Sequence, residues 1–131
     1  MQDKDIRTFA DFAEWKKTAE HDNMFAVNVL KQLFTTICNT NNEETLLQIF
    51  VQPNSTGDDD WDRLIEGVAL YASHIKNIPP QWVDWTRKPL SPQKLFIPVS
   101  HPAFFPADYA KTPIELRMKA VCLPKGSLYG V

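Results

Sequence analysis

Apolar residues in the first 78 positions recur mostly every three or four places, the period of helices that turn one face to a core. Thr8 is a helix-capping residue with Asp11 three places on, and Phe9, Phe12, Ala13 and Ala19 follow at near-helical spacing. From about Asp22 to Cys38, the residues Val27, Leu30, Leu33, Phe34, Ile37 and Cys38 share one stripe and predict a second helix. Asn41 with Glu44 resembles a cap for a short third helix carrying Leu46, Leu47, Ile49 and Phe50, after which Pro53 and Gly57 mark a loop. The clearest pattern comes next: Trp61, Leu64, Ile65, Val68, Tyr71, Ala72 and Ile75 define a fourth helix whose predicted stop is Pro79-Pro80. Asp58, Asp59, Asp60 and Asp62 crowd its first turn, where the helix dipole favours negative charge.

Beyond residue 79 the pattern changes. Of 10 prolines only Pro53 precedes this point. Each proline removes a backbone donor and biases its predecessor toward extended geometry, so long helices are excluded here. Trp82, Trp85, Phe96, Phe104, Phe105, Tyr109 and Tyr129 make the segment too apolar for a free tail. It should wrap the helices as polyproline-like and turn structure. One short helix is expected within it, with Thr112 as cap, Pro113 in the first position and Glu115 reaching back, ahead of Leu116 and Met118. Ala120-Val121-Cys122-Leu123 then reads as a short strand and Pro124-Lys125-Gly126 as a turn. The expected fold is mainly α: a compact bundle of four to five helices, wrapped by an irregular Pro- and aromatic-rich C-terminal half with at most one short strand pair. A single domain spans 1–131, with 1–78 its helical part and 79–131 its wrapping part.

A chain of 131 residues with 44% hydrophobic content fits one core and argues against disorder. No apolar run approaches the roughly 20 residues of a membrane span, and the polar, acidic start is unlike a secretory signal, which predicts a cytoplasmic protein without membrane contact. Cys38 and Cys122 lie far apart among apolar neighbours and read as buried, reduced thiols. The net charge of −2 conceals an asymmetry. Residues 1–78 carry 7 Lys and Arg against 13 Asp and Glu, whereas residues 79–131 carry 7 against 3.

Candidate chemistry is sparse. The aspartates at 58–62 lack the EF-hand spacing, and His21, His74 and His101 match no metal-ligand spacing. His74 falls near a helix end, where an imidazolium is favoured. Neither cysteine has a neighbouring base, Ser100-His101 is adjacency without a third orienting group, and no phosphate-cradling or nucleophile-elbow motif occurs. No catalytic, metal or cofactor site is therefore expected. The basic residues Arg87, Lys88, Lys94, Lys111, Arg117, Lys119 and Lys125, interleaved with aromatics, offer single-stranded nucleic acid as an alternative partner. Against that, the bases are spread along the chain and the sequence pI is about 5.9. The competing reading sets the basic wrap against the acidic helices of its own chain or of another copy.

The ordered motifs Pro53-Asn54-Ser55-Thr56-Gly57-Asp58, Trp61-Asp62-Arg63-Leu64-Ile65, Ile78-Pro79-Pro80-x-Trp82, His101-Pro102-Ala103-Phe104-Phe105, Thr112-Pro113-x-Glu115-Leu116-Arg117 and Ser127-Leu128 resemble an uncharacterised bacterial domain across residues 50–131. The resemblance implies a link to helix-turn-helix regulators and to antitoxin components encoded beside a toxin. This chain departs from that pattern at Leu116-Arg117-Met118-Lys119-Ala120-Val121, where the family is richer in arginine, and it presents no evident DNA-reading helix.

The expected function is a non-catalytic protein-interaction or regulatory module, antitoxin-like by resemblance. Its partner, a toxin, another protein or a second copy, is expected to meet Trp82, Trp85, Phe104 and Phe105. Nucleic-acid binding is the alternative, and a small hydrolase with a dispersed site the second. A concave pocket where two titratable groups converge favours the enzyme, an exposed apolar patch the module.

Overall fold

The computed structural model describes residues 6–18, 22–87, 94–99 and 105–128. The expectations placed on Ala19, His21, Lys88, Ser100, His101, Phe104 and Tyr129, and on the side chain of Phe105, lie outside the described residues. The chain is mainly helical, as the periodicity predicts. Helix α1 spans Phe9–Thr18, α2 Asn23–Asn39, α3 Glu43–Ile49 and α4 Asp59–Ile75.

Local hydrogen bonds explain each start. Thr8 Oγ1 accepts from Asp11 N at 3.0 Å, and the Asp11 carboxylate accepts in return from Arg7 N. Asp22 caps α2 by accepting from Phe25 N at 2.8 Å, and the apolar stripe is buried as expected except for Cys38, which is half-buried. The cap of α3 is Asn42, not Asn41: its Oδ1 accepts from Thr45 N at 2.9 Å. Asn41 instead receives the Lys76 ammonium. Leu47 is exposed because a helix this short buries one side, and Leu46 and Ile49 occupy it.

Helix α4 is the axis of the molecule. Helices α1 and α2, the 3-10 helix Pro80–Arg87 and a short C-terminal helix all pack against it. The sequence assigns it one apolar stripe, yet Arg63, Glu66, Gly67, Leu70 and Ser73 on its other side are also buried. Its stop precedes the prolines. Asn77 takes a left-handed conformation, φ 53°, and Ile78 N donates to Ser73 O at 2.9 Å, closing the last turn ahead of Pro79.

The C-terminal half is more helical than its prolines suggest. Pro80 opens a 3-10 helix, kinked at Val83, and α5 (Phe105–Ala110) has no counterpart in the sequence reading. Helix α6 (Ile114–Arg117) is the expected short helix with a different cap: Pro113 takes the capping position without a side-chain bond. The Thr112 hydroxyl is engaged elsewhere, donating to Asp108 O and accepting from Leu123 N at 3.0 Å. Proline fits that position because its fixed φ needs no N–H there. Ala120, φ 57°, then reverses the chain. The strand expected at 120–123 reduces to one isolated parallel bridge, Phe96 to Val121, and a 3-10 turn, Lys125–Ser127, follows.

The core joins both halves. Phe9, Phe12, Leu30, Phe34, Phe50 and Leu64 from the helical part share it with Val83, Leu116, Val121, Leu123 and Leu128. Trp61 meets Phe96 edge-on at 5.6 Å between centroids across the seam, and within the helical part Phe34 stacks on Tyr71 at 5.7 Å.

Candidate functional site

Of the aromatic surface expected to meet a partner, Trp82 and Trp85 are described, and both are half-buried against the core. Trp85 has an internal task. Its indole N–H donates to Phe50 O at 3.0 Å and its ring meets Phe9 edge-on at 6.4 Å. Burying part of the ring while giving its N–H an acceptor fastens the 3-10 helix to α1 and to the residue after α3. Phe104 and the Phe105 side chain lie outside the described residues.

The basic residues differ in their surroundings. Lys119 is buried and its ammonium meets Glu66 Oε1 at 2.9 Å, so it faces the acidic helical part of its own chain. Arg117 lies over the Tyr109 ring at 5.8 Å. Arg87, Lys94, Lys111 and Lys125 are exposed. The backbones of Lys111 and Lys125 are joined by a hydrogen bond of 3.1 Å.

Lys119 belongs to a polar seam between α4 and the returning chain. Arg63 donates from Nε to Asp59 at 3.0 Å, pairs with Asp60, and reaches the carbonyls of Lys119 at 2.6 Å and Ala120 at 3.2 Å. Those carbonyls flank the left-handed residue, whose reversal removes them from helical partners. One arginine thus links the start of α4 to residues 56 and 57 places on. At the other end His74 Nδ1 meets Glu115 Oε2 at 2.5 Å, so His74 bridges to α6 instead of capping its own helix. Between these ties Gly67 lets Leu116 lie directly on the helix: a Cβ there would stand 3.1 Å from the Leu116 Cα.

Sequence reasoning missed this seam, although a signal for it exists. Arg63, Glu66, Gly67 and Leu70 repeat the i, i+3, i+4, i+7 spacing on the side opposite the apolar stripe. The mid-helix glycine marks close approach by another backbone.

The aspartates at the head of α4 have structural tasks. Asp58 caps, Asp59 and Asp60 hold Arg63, and Asp62 anchors the preceding loop. Asp62 accepts from Ser55 Oγ at 2.6 Å and from the N and Oγ1 of Thr56, each at 2.8 Å. Among the described residues no group of three or more His, Cys, Asp or Glu is arranged to hold a metal ion. Beside this loop a cleft of about 200 Å³ is lined by Gln52, Asn54, Asp62, Ile65, Glu66 and Trp85, among others. Two carboxylates thus meet in a concave site, each already engaged: Asp62 by the loop, Glu66 by Lys119.

Both thiols are free. Burial pushes each above the ordinary thiol value, with Lys76 partly offsetting this at Cys38 and the Thr112 hydroxyl at Cys122. Raised thiols are poor nucleophiles at neutral pH, which agrees with their structural reading. Large apolar side chains stand exposed elsewhere. On α6, Ile114 is 53% and Met118, just past the helix, 58% exposed, one turn apart. Among the described residues no helix is long and apolar enough to cross a membrane.

No protein-family model, curated protein or solved structure matches this chain.

Proposed function

We propose that this protein is a cytoplasmic, non-catalytic interaction module that binds another protein through the outward face of α6. The observation that carries the reading is the pair Ile114 and Met118, more than half exposed and one turn apart, on a segment whose inner side is held by Leu116, Glu115 and Lys119. Burying the pair contributes transfer free energy, offset in part by the rotamer freedom that the Met118 side chain loses. The engagement of Asp62 and Glu66 in internal bonds supports a role without catalysis. The resemblance across residues 50–131 adds an antitoxin-like role and makes a toxin the partner to test first.

Capture from a host lysate tests the reading with wild-type protein and with the double variant Ile114→Glu, Met118→Glu. Exposed substitutions of this kind change stability by about 0.5 kcal/mol or less, so loss of capture reports the surface and not the fold. The expected result is a partner retained by wild type after nuclease treatment and lost by the variant. Identical capture by both proteins overturns the reading. Capture abolished by nuclease and falling steeply with salt replaces it with the nucleic-acid alternative.

A further inference from the structure

The cleft beside the 52–56 loop holds one carboxylate that has no ionic counter-charge among the described residues. Asp62, Ile65 and Glu66 lie at i, i+3 and i+4 of α4 and form one wall. Trp85, fixed through its N–H to Phe50 O, forms another, and Gln52 and Asn54 stand at the rim. Glu66 has the Lys119 ammonium as counter-charge. Asp62 does not: its donors, the Ser55 hydroxyl and the N–H and hydroxyl of Thr56, are all neutral, and no described Lys, Arg or His pairs with it. The neighbouring Arg63 is occupied by Asp59 and Asp60. A carboxylate offers about four lone-pair positions, and these donors occupy three, two at Oδ1 and one at Oδ2.

We propose that this cleft binds a primary ammonium or guanidinium group carried on a short alkyl stem. The cation completes the coordination of Asp62 at Oδ2, its stem lies along Ile65, and the Trp85 ring contributes cation–π attraction. Neutral donors hold Asp62 in place before binding, so little reorganisation opposes the ligand. A volume of about 200 Å³ is small beside the roughly 300–1,000 Å³ of drug-sized sites, which restricts the occupant to a few heavy atoms. A small free amine and the tip of a partner's lysine or arginine carry this same chemistry. The proposal stands independently of the α6 surface, since the lining of the cleft includes neither Ile114 nor Met118.

The test is a titration of the full chain with ethylguanidinium and n-butylammonium, following the Trp85 indole and Thr56 amide signals by NMR. Saturable shifts are expected with a dissociation constant on the order of 1 mM. Neutral n-butanol should give none. Gln52→Lys places an ammonium at the rim and should weaken binding about tenfold, the effect of one like charge at close range. Val51→Lys adds the same charge at a site 54% exposed and outside the lining, and should leave binding unchanged. Tighter binding of N-acetylarginine amide than of ethylguanidinium assigns the site to a protein side chain; the reverse order assigns it to a free amine. Equal shifts with butanol, saturation of the same signals by Mg²⁺ alone, or unaltered binding in Gln52→Lys overturns the proposal.

Discussion

Gly67→Ala sets two calculable effects against each other. In an isolated helix the change is favourable by about 1 kcal/mol, because glycine has more backbone freedom to lose. In α4 the new methyl would stand 2.8 Å from Leu116 Cδ2 and 3.1 Å from both Cγ and Cα. A rotation of the leucine side chain relieves the approach to Cδ2, but Cα belongs to the backbone, and Leu116 is fully buried. Helix α6 must therefore move outward by a few tenths of an ångström, loosening the Glu66–Lys119 pair and the Arg63 bonds to the carbonyls beyond it. Overpacking of this kind costs about 1–3 kcal/mol, so steric cost exceeds propensity and the net loss should be about 1 kcal/mol. For a chain of this length that lowers the melting midpoint by roughly 3–5 °C. Urea denaturation of Gly67→Ala, Leu116→Ala and the double variant measures the coupling directly. The double should be more stable than the sum of the singles by at least about 0.5 kcal/mol. Stabilisation by Gly67→Ala, or strict additivity, would show that α6 does not rest on this glycine and would refute the docking argument.

Glu66→Gln should destabilise by about 2–4 kcal/mol in urea melts, because it leaves the buried Lys119 ammonium without its counter-charge; Glu66→Leu with Lys119→Met should lose less than that single change. Trp85→Phe removes the indole donor from Phe50 O and should cost about 1–2 kcal/mol by the same assay, more than Trp82→Phe. Both thiols are raised above the ordinary value of 9.0 by burial, so the folded state holds their protons more tightly than the unfolded state does. Their contribution to stability is complete below about pH 9 and is lost as the pH rises through the folded values; the melting midpoint should fall in that window, and less so in Cys122→Ala. Labelling by a thiol reagent at neutral pH should reach the half-buried Cys38 first and Cys122 only on unfolding.

The order and extent of α1 to α4 are legible in the sequence because each is amphipathic and locally capped. A period of 3.6 with Thr8, Asp22 or Asp58 at its head needs no distant partner to be recognised. The displaced cap at Asn42 is the error such local reading permits: adjacent asparagines are equivalent until Lys76 claims one of them. The proline-rich half reads as mostly irregular because proline forbids long helices but permits first turns, and Pro80 opens such a turn while Pro113 caps one. The candidate surface is less legible. The sequence offers Trp82 and Trp85 alike as contacts, and the indole bond from Trp85 to Phe50 O, 35 residues away, is what distinguishes the two.

By itself the sequence determined a helical body, an acidic head on α4 and a basic half with too many prolines for long helices, since periodicity, capping and charge are local properties. Tertiary structure decided which charges meet. Arg63, Glu66 and Gly67 share one side of α4 by their spacing, yet only residues about 50 positions away or more make that side the bed on which α6 lies. The same packing ties Asp62 to a loop and sets Trp85 into the lining of the same cleft, which no contiguous motif encodes. Pairings across such separations depend on how buried surfaces fit in space, a quantity that spacing along a chain does not carry.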